Sequence, residues 1–214
     1  MLYRRLVLGL PLAGLVLLSA LGTGHAALQP DEVQAVLKAE LYLNRITTLR
    51  ARFVQVSSNG AYAEGEVHVR RPGRLRFEYD APHPVLLIAD GINLLYYDKE
   101  LKQATFIPLW ETPLWFLIRS QVDLSGNIQV TDVSLAAGTV RITVQEKGAD
   151  QTGAVTLAFS DQPFALRGWE VTDAQGITTR VSLLNPVYGR KAADKLFEYG
   201  DLDIYGFRGS GRER

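Results

Sequence analysis

Cysteine is missing from all 214 residues, which removes disulfides, thiol nucleophiles and sulfur metal sites in one step. A bacterial lipoprotein carries its lipid on a Cys at its new N-terminus, so anchoring by that route is excluded too. Histidine is scarce, with three in the chain, and none sits in a metal-ligand or nucleophile motif. Charge of one sign is never massed: 23 basic residues stand against 23 acidic ones, which argues against nucleic acid as a partner. No repeat of fixed period and no low-complexity linker occurs. Nor is there an apolar run of the ~20 residues that a spanning helix needs; the longest, Leu6 to Leu18, lacks a following stop-transfer cluster.

That run does follow Arg4 and Arg5 and precedes the small residues Gly24 and Ala26. The pattern predicts a secretory signal peptide over residues 1–26, with the mature chain starting at Ala27 and exported in the ordinary unfolded state. His25 leaves with the leader, and the remainder carries a net charge of −2 (21 basic, 23 acidic). Its length suits a single domain, read here as 27–207, with a charged flexible tail over 208–214. The expected product is a soluble protein of the periplasm.

Gln29-Pro30-Asp31-Glu32 followed by Val33, Val36, Leu37 and Leu41 predicts an amphipathic first helix with those aliphatics on its apolar face. The period then drops to two. Leu49, Ala51 and Phe53 alternate with Arg50, Arg52 and Val54, and Leu75, Phe77 and Tyr79 with Arg74, Arg76 and Glu78, as in strands with one buried face. Val85–Ala89 pairs with Asn93–Tyr97 across Asp90-Gly91, a hairpin signal. Further strands are expected at Gln103–Ile107, Val140–Glu146, Ala154–Phe159, Leu166–Thr172 and Thr178–Leu184. Between them, Leu109 to Ile118 interrupts the rhythm: Thr112 and Pro113 suit the cap and first turn of a short helix that is apolar nearly all round. Such a helix has to be covered on several sides, or to cover something apolar itself.

An antiparallel sheet of roughly nine to eleven strands tends to curl, and if unclosed it needs a cap over its concave face. The fold class expected is mainly β (α+β), an open half-barrel capped by short helices. Phe53, Leu75 and Phe77 would line a cavity beneath a lid containing Leu114, Trp115, Leu117 and Ile118. An ordinary packed core fits the same residues, and composition alone favours it.

Three segments, Leu49-Arg50-Ala51-Arg52-Phe53-Val54-Gln55, Arg71-Pro72-Gly73-Arg74-Leu75-Arg76-Phe77 and Ala89-Asp90-Gly91 through Tyr96-Tyr97-Asp98, occur in this order. Gln103-Ala104-Thr105 and Thr112-Pro113 follow. The ordered set resembles the outer-membrane lipoprotein carrier (LolA) family from the first helix to about residue 120, and more loosely to Leu184. The resemblance implies a carrier of acylated lipoproteins, loaded by an inner-membrane ATP-driven extractor and unloaded onto an outer-membrane receptor that is itself lipidated. Lack of Cys puts this chain on the soluble carrier side. A monomer without cofactor or metal is expected. The resemblance further implies a role for Arg71 as the latch that bonds lid carbonyls in the closed, empty state; Arg70 beside it should face the opposite side. Near the end the chain departs from the family. The closing aromatic strand and paired-Pro turn are represented only by Leu196-Phe197-Glu198-Tyr199 and Leu202-Asp203-Ile204.

Two other classes compete with the carrier. An enzyme would have to work with His68 and His83, or with Glu64 and Glu66 on one strand face, where acids are ordinarily solvated surface. A lipid-binding sensor or glycolipid carrier of the same half-barrel architecture is not separated by fold.

Overall fold

The computed structural model describes residues 27–113, 115–148, 153–200 and 202; the expected leader 1–26 and tail 208–214 lie outside the described residues. Helix α1 (Pro30–Arg45) leads into six strands: β1 (Thr48–Ser57), β2 (Tyr62–Arg70), β3 (Arg74–Tyr79), β4 (Val85–Asp90), β5 (Asn93–Asp98) and β6 (Gln103–Pro108). A 3-10 turn (Leu109–Glu111) and one helical turn, α2 (Trp115–Ile118), precede β7 (Ile128–Ala136), β8 (Thr139–Glu146), β9 (Ala154–Ser160), β10 (Ala165–Thr172) and β11 (Thr178–Tyr188). All eleven strands form one antiparallel sheet in the order β6-β5-β4-β3-β2-β1-β11-β10-β9-β8-β7. Strands β6 and β7 are its edges, and the sheet stays open between them. The connection 109–127 therefore has to travel from one edge to the other. Its apolar content sends it across the inner face, where Phe116, Leu117 and Ile118 join the core.

The inner face is built by alternation. In β1, Leu49, Ala51 and Phe53 are buried while Arg50 and Arg52 are exposed, and Leu75 and Phe77 do the same in β3. Leu157 and Phe159 of β9 meet them from the other half of the sheet. The hairpin β4–β5 is apolar on both sides. Ala89, Leu87 and Leu94 turn to the main core, whereas Leu86, Ile88, Leu95 and Tyr97 form a second buried cluster on the outer face. That cluster is roofed by the C-terminal segment, with Tyr199 and Leu202 packed on it. Leu196 and Phe197 end a 3-10 turn, Asp194–Phe197, rather than a closing strand, and Asp203 and Ile204 fall outside the described residues.

Strand β7 was not legible as a strand, because a register shift between Val130 and Asp132 puts the alternation of its two halves out of phase, and most of its residues are exposed or half-buried. The larger correction concerns α1. Pro30 at its start, Asp31 and Glu32 in the first turn and Arg45 in the last are placed as expected. The buried face, however, is Ala35, Ala39 and Leu43, with Val36 half-buried against the core as expected, while Val33, Leu37 and Leu41 are 39%, 48% and 62% exposed. Inward-pointing strand residues already fill the concavity. Two alanines one turn apart let the helix come close to them, where the bulkier aliphatic stripe would hold it off.

Candidate functional site

The turn between β2 and β3 holds the two caps in place. Strand alternation sends its two arginines to opposite sides. Arg70 goes outward, where Nη1 donates to the Ala192 carbonyl at 2.9 Å and Nη2 meets Asp194 at 2.5 Å. Arg71 goes inward, and its Nη1 donates to the carbonyl of Leu43 at 2.7 Å, in the last turn of α1, where the same carbonyl also accepts the capping N–H of Ile46 at 3.1 Å. Two residues on, the N–H of Gly73 donates at 2.6 Å to the carbonyl of Ile118, the last residue of α2. Gly73 has φ +73°, and a Cβ there would lie 2.8 Å from the Gly91 Cα, so glycine is what lets this N–H reach the lid. The bond to the lid thus comes from the backbone of Gly73, while the side chain of Arg71 holds α1.

Arg71 is costly to keep. Burial pushes its guanidinium down to about 10, and its Nε is buried without a hydrogen-bond partner among the described residues. At neutral pH it remains a cation, held by one carbonyl at a position where a leucine would pack. Further ties run from α1 to the chain beyond the lid. Asn44 exchanges two hydrogen bonds with Val122, Nδ2 to O at 2.9 Å and N to Oδ1 at 2.8 Å. Glu40 accepts from the Leu124 N–H at 2.9 Å.

Beneath these ties lies a small, partly open cavity of about 40 Å³, lined by Leu43, Ile46, Leu49, Val69, Leu75, Leu117, Ile118, Leu166, Trp169 and Arg71. Arg71 is the one charged residue in that lining, so the site offers apolar surface and no acid–base pair. Small-molecule sites run to roughly 300–1,000 Å³, and this cavity has no room for an acyl chain until a cap moves. On the other side of α2 a wider cleft of about 500 Å³ has a floor of Phe116, Ile128, Val144 and Val155 and a rim that includes Glu111, Arg119 and Gln145.

Of the residues expected at the cavity, Leu75, Leu117, Ile118 and Arg71 meet there. Trp115 lines the wider cleft, and Leu114 lies outside the described residues. Phe53 and Phe77 are outside that lining but in the same core cluster, 5.0 Å apart ring to ring, with Phe77 6.1 Å from the cavity residue Trp169. Sequence reasoning missed Leu166 and Trp169 as cavity residues. They lie three apart on one face because β10 shifts register between Leu166 and Gly168, which breaks simple alternation. Glu40 and Asn44 gave no signal beyond being polar residues of a helix.

Residues 44–200 match the profile of the family described as "Outer membrane lipoprotein carrier protein LolA". The chain belongs to the LolA family. An outer-membrane lipoprotein carrier protein of Azotobacter vinelandii is 30% identical over 181 residues, covering 79% of this chain and 84% of the relative. Another, from Methylococcus capsulatus, is 26% identical over 194 residues, covering 86% and 91%. Among solved structures, an uncharacterized conserved protein from Thermus thermophilus is similar with a TM-score of 0.50 at 12% identity, over 80% of this chain and 96% of that one; that likeness bears on the fold alone. The LolA match takes in the 71–73 turn, the lid and the outer-face segment around Phe197, and it begins at Asn44, the α1 residue that clamps Val122. No helix among the described residues is long and apolar enough to cross a membrane.

Proposed function

We propose that this chain is a soluble periplasmic carrier that shields the acyl chains of lipoproteins, receiving them from an inner-membrane ATP-driven extractor and passing them to an outer-membrane receptor. The observation that carries the reading is a small, almost wholly apolar pocket beneath two caps that are tied down by a few hydrogen bonds. At ~0.8 kcal/mol per methylene, a sixteen-carbon chain costs on the order of 12 kcal/mol to hold in water, so unaided crossing is negligible. A cavity that closes on itself when empty lowers the apparent affinity for cargo, because only the open fraction binds. Release to a receptor then becomes possible. The test is displacement of a fluorescent hydrophobic probe from the native protein by a triacylated lipopeptide, followed by two-step transfer from inner-membrane vesicles to receptor-bearing membranes. Native probe binding, displacement and transfer are expected. Probe binding that appears only on denaturation would overturn the reading.

A further inference from the structure

The outer face of the sheet, opposite the cavity, balances its charges strand by strand on one half and fails to do so on the other. Over β1–β5, Arg50 meets Glu66, Arg52 meets Asp80 and Glu64, Arg70 meets Asp194, and Arg76 and Lys99 share Glu78. These five cations pair with five carboxylates, and Arg74 stands across from Asp90 in the β3–β4 register. On β8, β10 and β11 three arginines, Arg141, Arg167 and Arg180, surround a dent of about 210 Å³ with a single carboxylate, Glu170.

Glu170 is committed to the protein. Arg141 Nη2 donates to one of its oxygens at 2.8 Å and Arg180 Nε to the other at 2.5 Å. Burial, the largest single influence, would raise this carboxyl, but the hydrogen bonds and positive charges of the two arginines together hold it below the ordinary carboxylate range. Arg167 spends Nε on the Ser160 hydroxyl at 3.1 Å. Each guanidinium therefore keeps donors with no protein partner among these contacts, and two positive charges are left uncompensated around the dent. Its floor is bare because Gly168 and Ala158 sit there. A Cβ on Gly168 would stand 2.0 Å from the Val181 carbonyl oxygen, so the backbone itself enforces the hollow. Ser182, paired with Gly168 across β10–β11, adds a hydroxyl to the wall.

We propose that this dent binds a phosphate-type oxyanion, with Arg167 and Arg180 as the principal donors and Arg141 and Ser182 completing the wall. Planar guanidinium groups match tetrahedral oxyanions through paired N–H donors, which a single ammonium cannot do. The group bound could be free phosphate or the phosphodiester of an anionic lipid headgroup, and the latter would set the carrier's outer face against a membrane while the cavity faces away. This site does not depend on the carrier reading, since it shares only Trp169 with the cavity lining and none of the cavity's charged or hydrogen-bonded ties.

The test uses the mature protein at low ionic strength, where such attraction is least screened. Inorganic phosphate is titrated while the arginine Nε–Hε resonances are followed by NMR, and retention is measured on phosphatidylglycerol and on phosphatidylcholine vesicles. Saturable shifts of Arg167 and Arg180 are expected. The double variant Arg167→Gln/Arg180→Gln, which leaves Arg141 to pair Glu170, is expected to lose binding by roughly tenfold or more; Arg52→Gln, from the balanced half, is expected to lose little. Retention on phosphatidylglycerol that phosphate competes away assigns the lipid headgroup, and phosphate binding without vesicle retention assigns the free ion. Absence of saturable shifts, or an equal loss in Arg52→Gln, would overturn the site. Thermal melts of each variant separate lost binding from lost folding.

Discussion

Arg71 donates one hydrogen bond to Leu43 and leaves its Nε without a partner among the described residues, so its removal affects closure and folding differently. Replacing it by Leu keeps aliphatic bulk, and deleting a half-buried cation offsets much of the lost hydrogen bond, so the melting temperature is expected to change little. The lost charged hydrogen bond is worth about 1.5–3 kcal/mol, enough to move an open–closed equilibrium roughly ten- to a hundredfold toward open. Arg71→Leu is then expected to load lipoprotein at least as well as the parent and to release it poorly. In two-step transfer, failure at loading with release intact would contradict the latch. Leu117 offers a second residue-scale prediction. It is nearly buried and lines the cavity from the lid side. Leu117→Glu is expected to abolish cargo retention while the denaturation midpoint of the sheet falls by much less; parallel losses would make Leu117 simple core. Arg71 could be singled out only through its Arg-Pro setting and the resemblance that goes with it. Its partner could not be read at all, because the Leu43 carbonyl lies 28 residues away in sequence.

Elements behaved unevenly. Strands with one wet and one buried face, such as β1 and β3, announce themselves by alternation, and the hairpin β4–β5 by its Asp-Gly turn, where Asp90 Oδ1 accepts from the Ile92 and Asn93 N–H groups at 2.8 Å. Helix α1 announced its existence but misreported its face, since hydrophobic spacing weighs Val and Leu above Ala while close packing against a filled concavity favours Ala. That placement puts Asn44 in reach of Val122, and the pair gives an element-scale prediction. Asn44→Ala removes two hydrogen bonds between α1 and the chain beyond the lid, each worth about 1 kcal/mol net. The open form should gain population, and affinity for a hydrophobic probe should rise by roughly tenfold. Probe titration checks this. An unchanged affinity with a lowered melting temperature would mean that Asn44 only braces the fold.

At the scale of the whole molecule, charge on the outer face ties strands and C-terminal segment together, and it sets the response to acid. Hydrogen bonding from Arg50 holds the Glu66 carboxyl below its usual range. For Glu78 and Asp90, burial pushes upward but is outweighed, by Arg76 and Lys99 in one case and by the N–H groups of Asn93 and Ile92 with the Tyr199 hydroxyl in the other. Carboxyls depressed in the folded state contribute stability that is present above their unfolded value, ~4, and lost as pH falls through the folded value. His68, pushed down chiefly by burial, acts in the same direction from ~6.5 downward. The melting temperature is therefore expected to hold above about pH 7, to slip slightly below ~6.5 and to drop steeply below ~4; a rise on acidification would contradict the assignment. By itself the sequence determined the absence of sulfur chemistry, the expectation of export, the strand-rich pattern and the apolar lid segment, because composition and local periodicity are properties of neighbours along the chain. Only the tertiary structure decided which face of α1 is buried, which atoms tie the caps, and that the closing turn lies on the outer face over Leu86 and Ile88. Each of these depends on which surfaces remain unfilled once eleven strands have curled together, and that depends on contacts between residues distant in sequence.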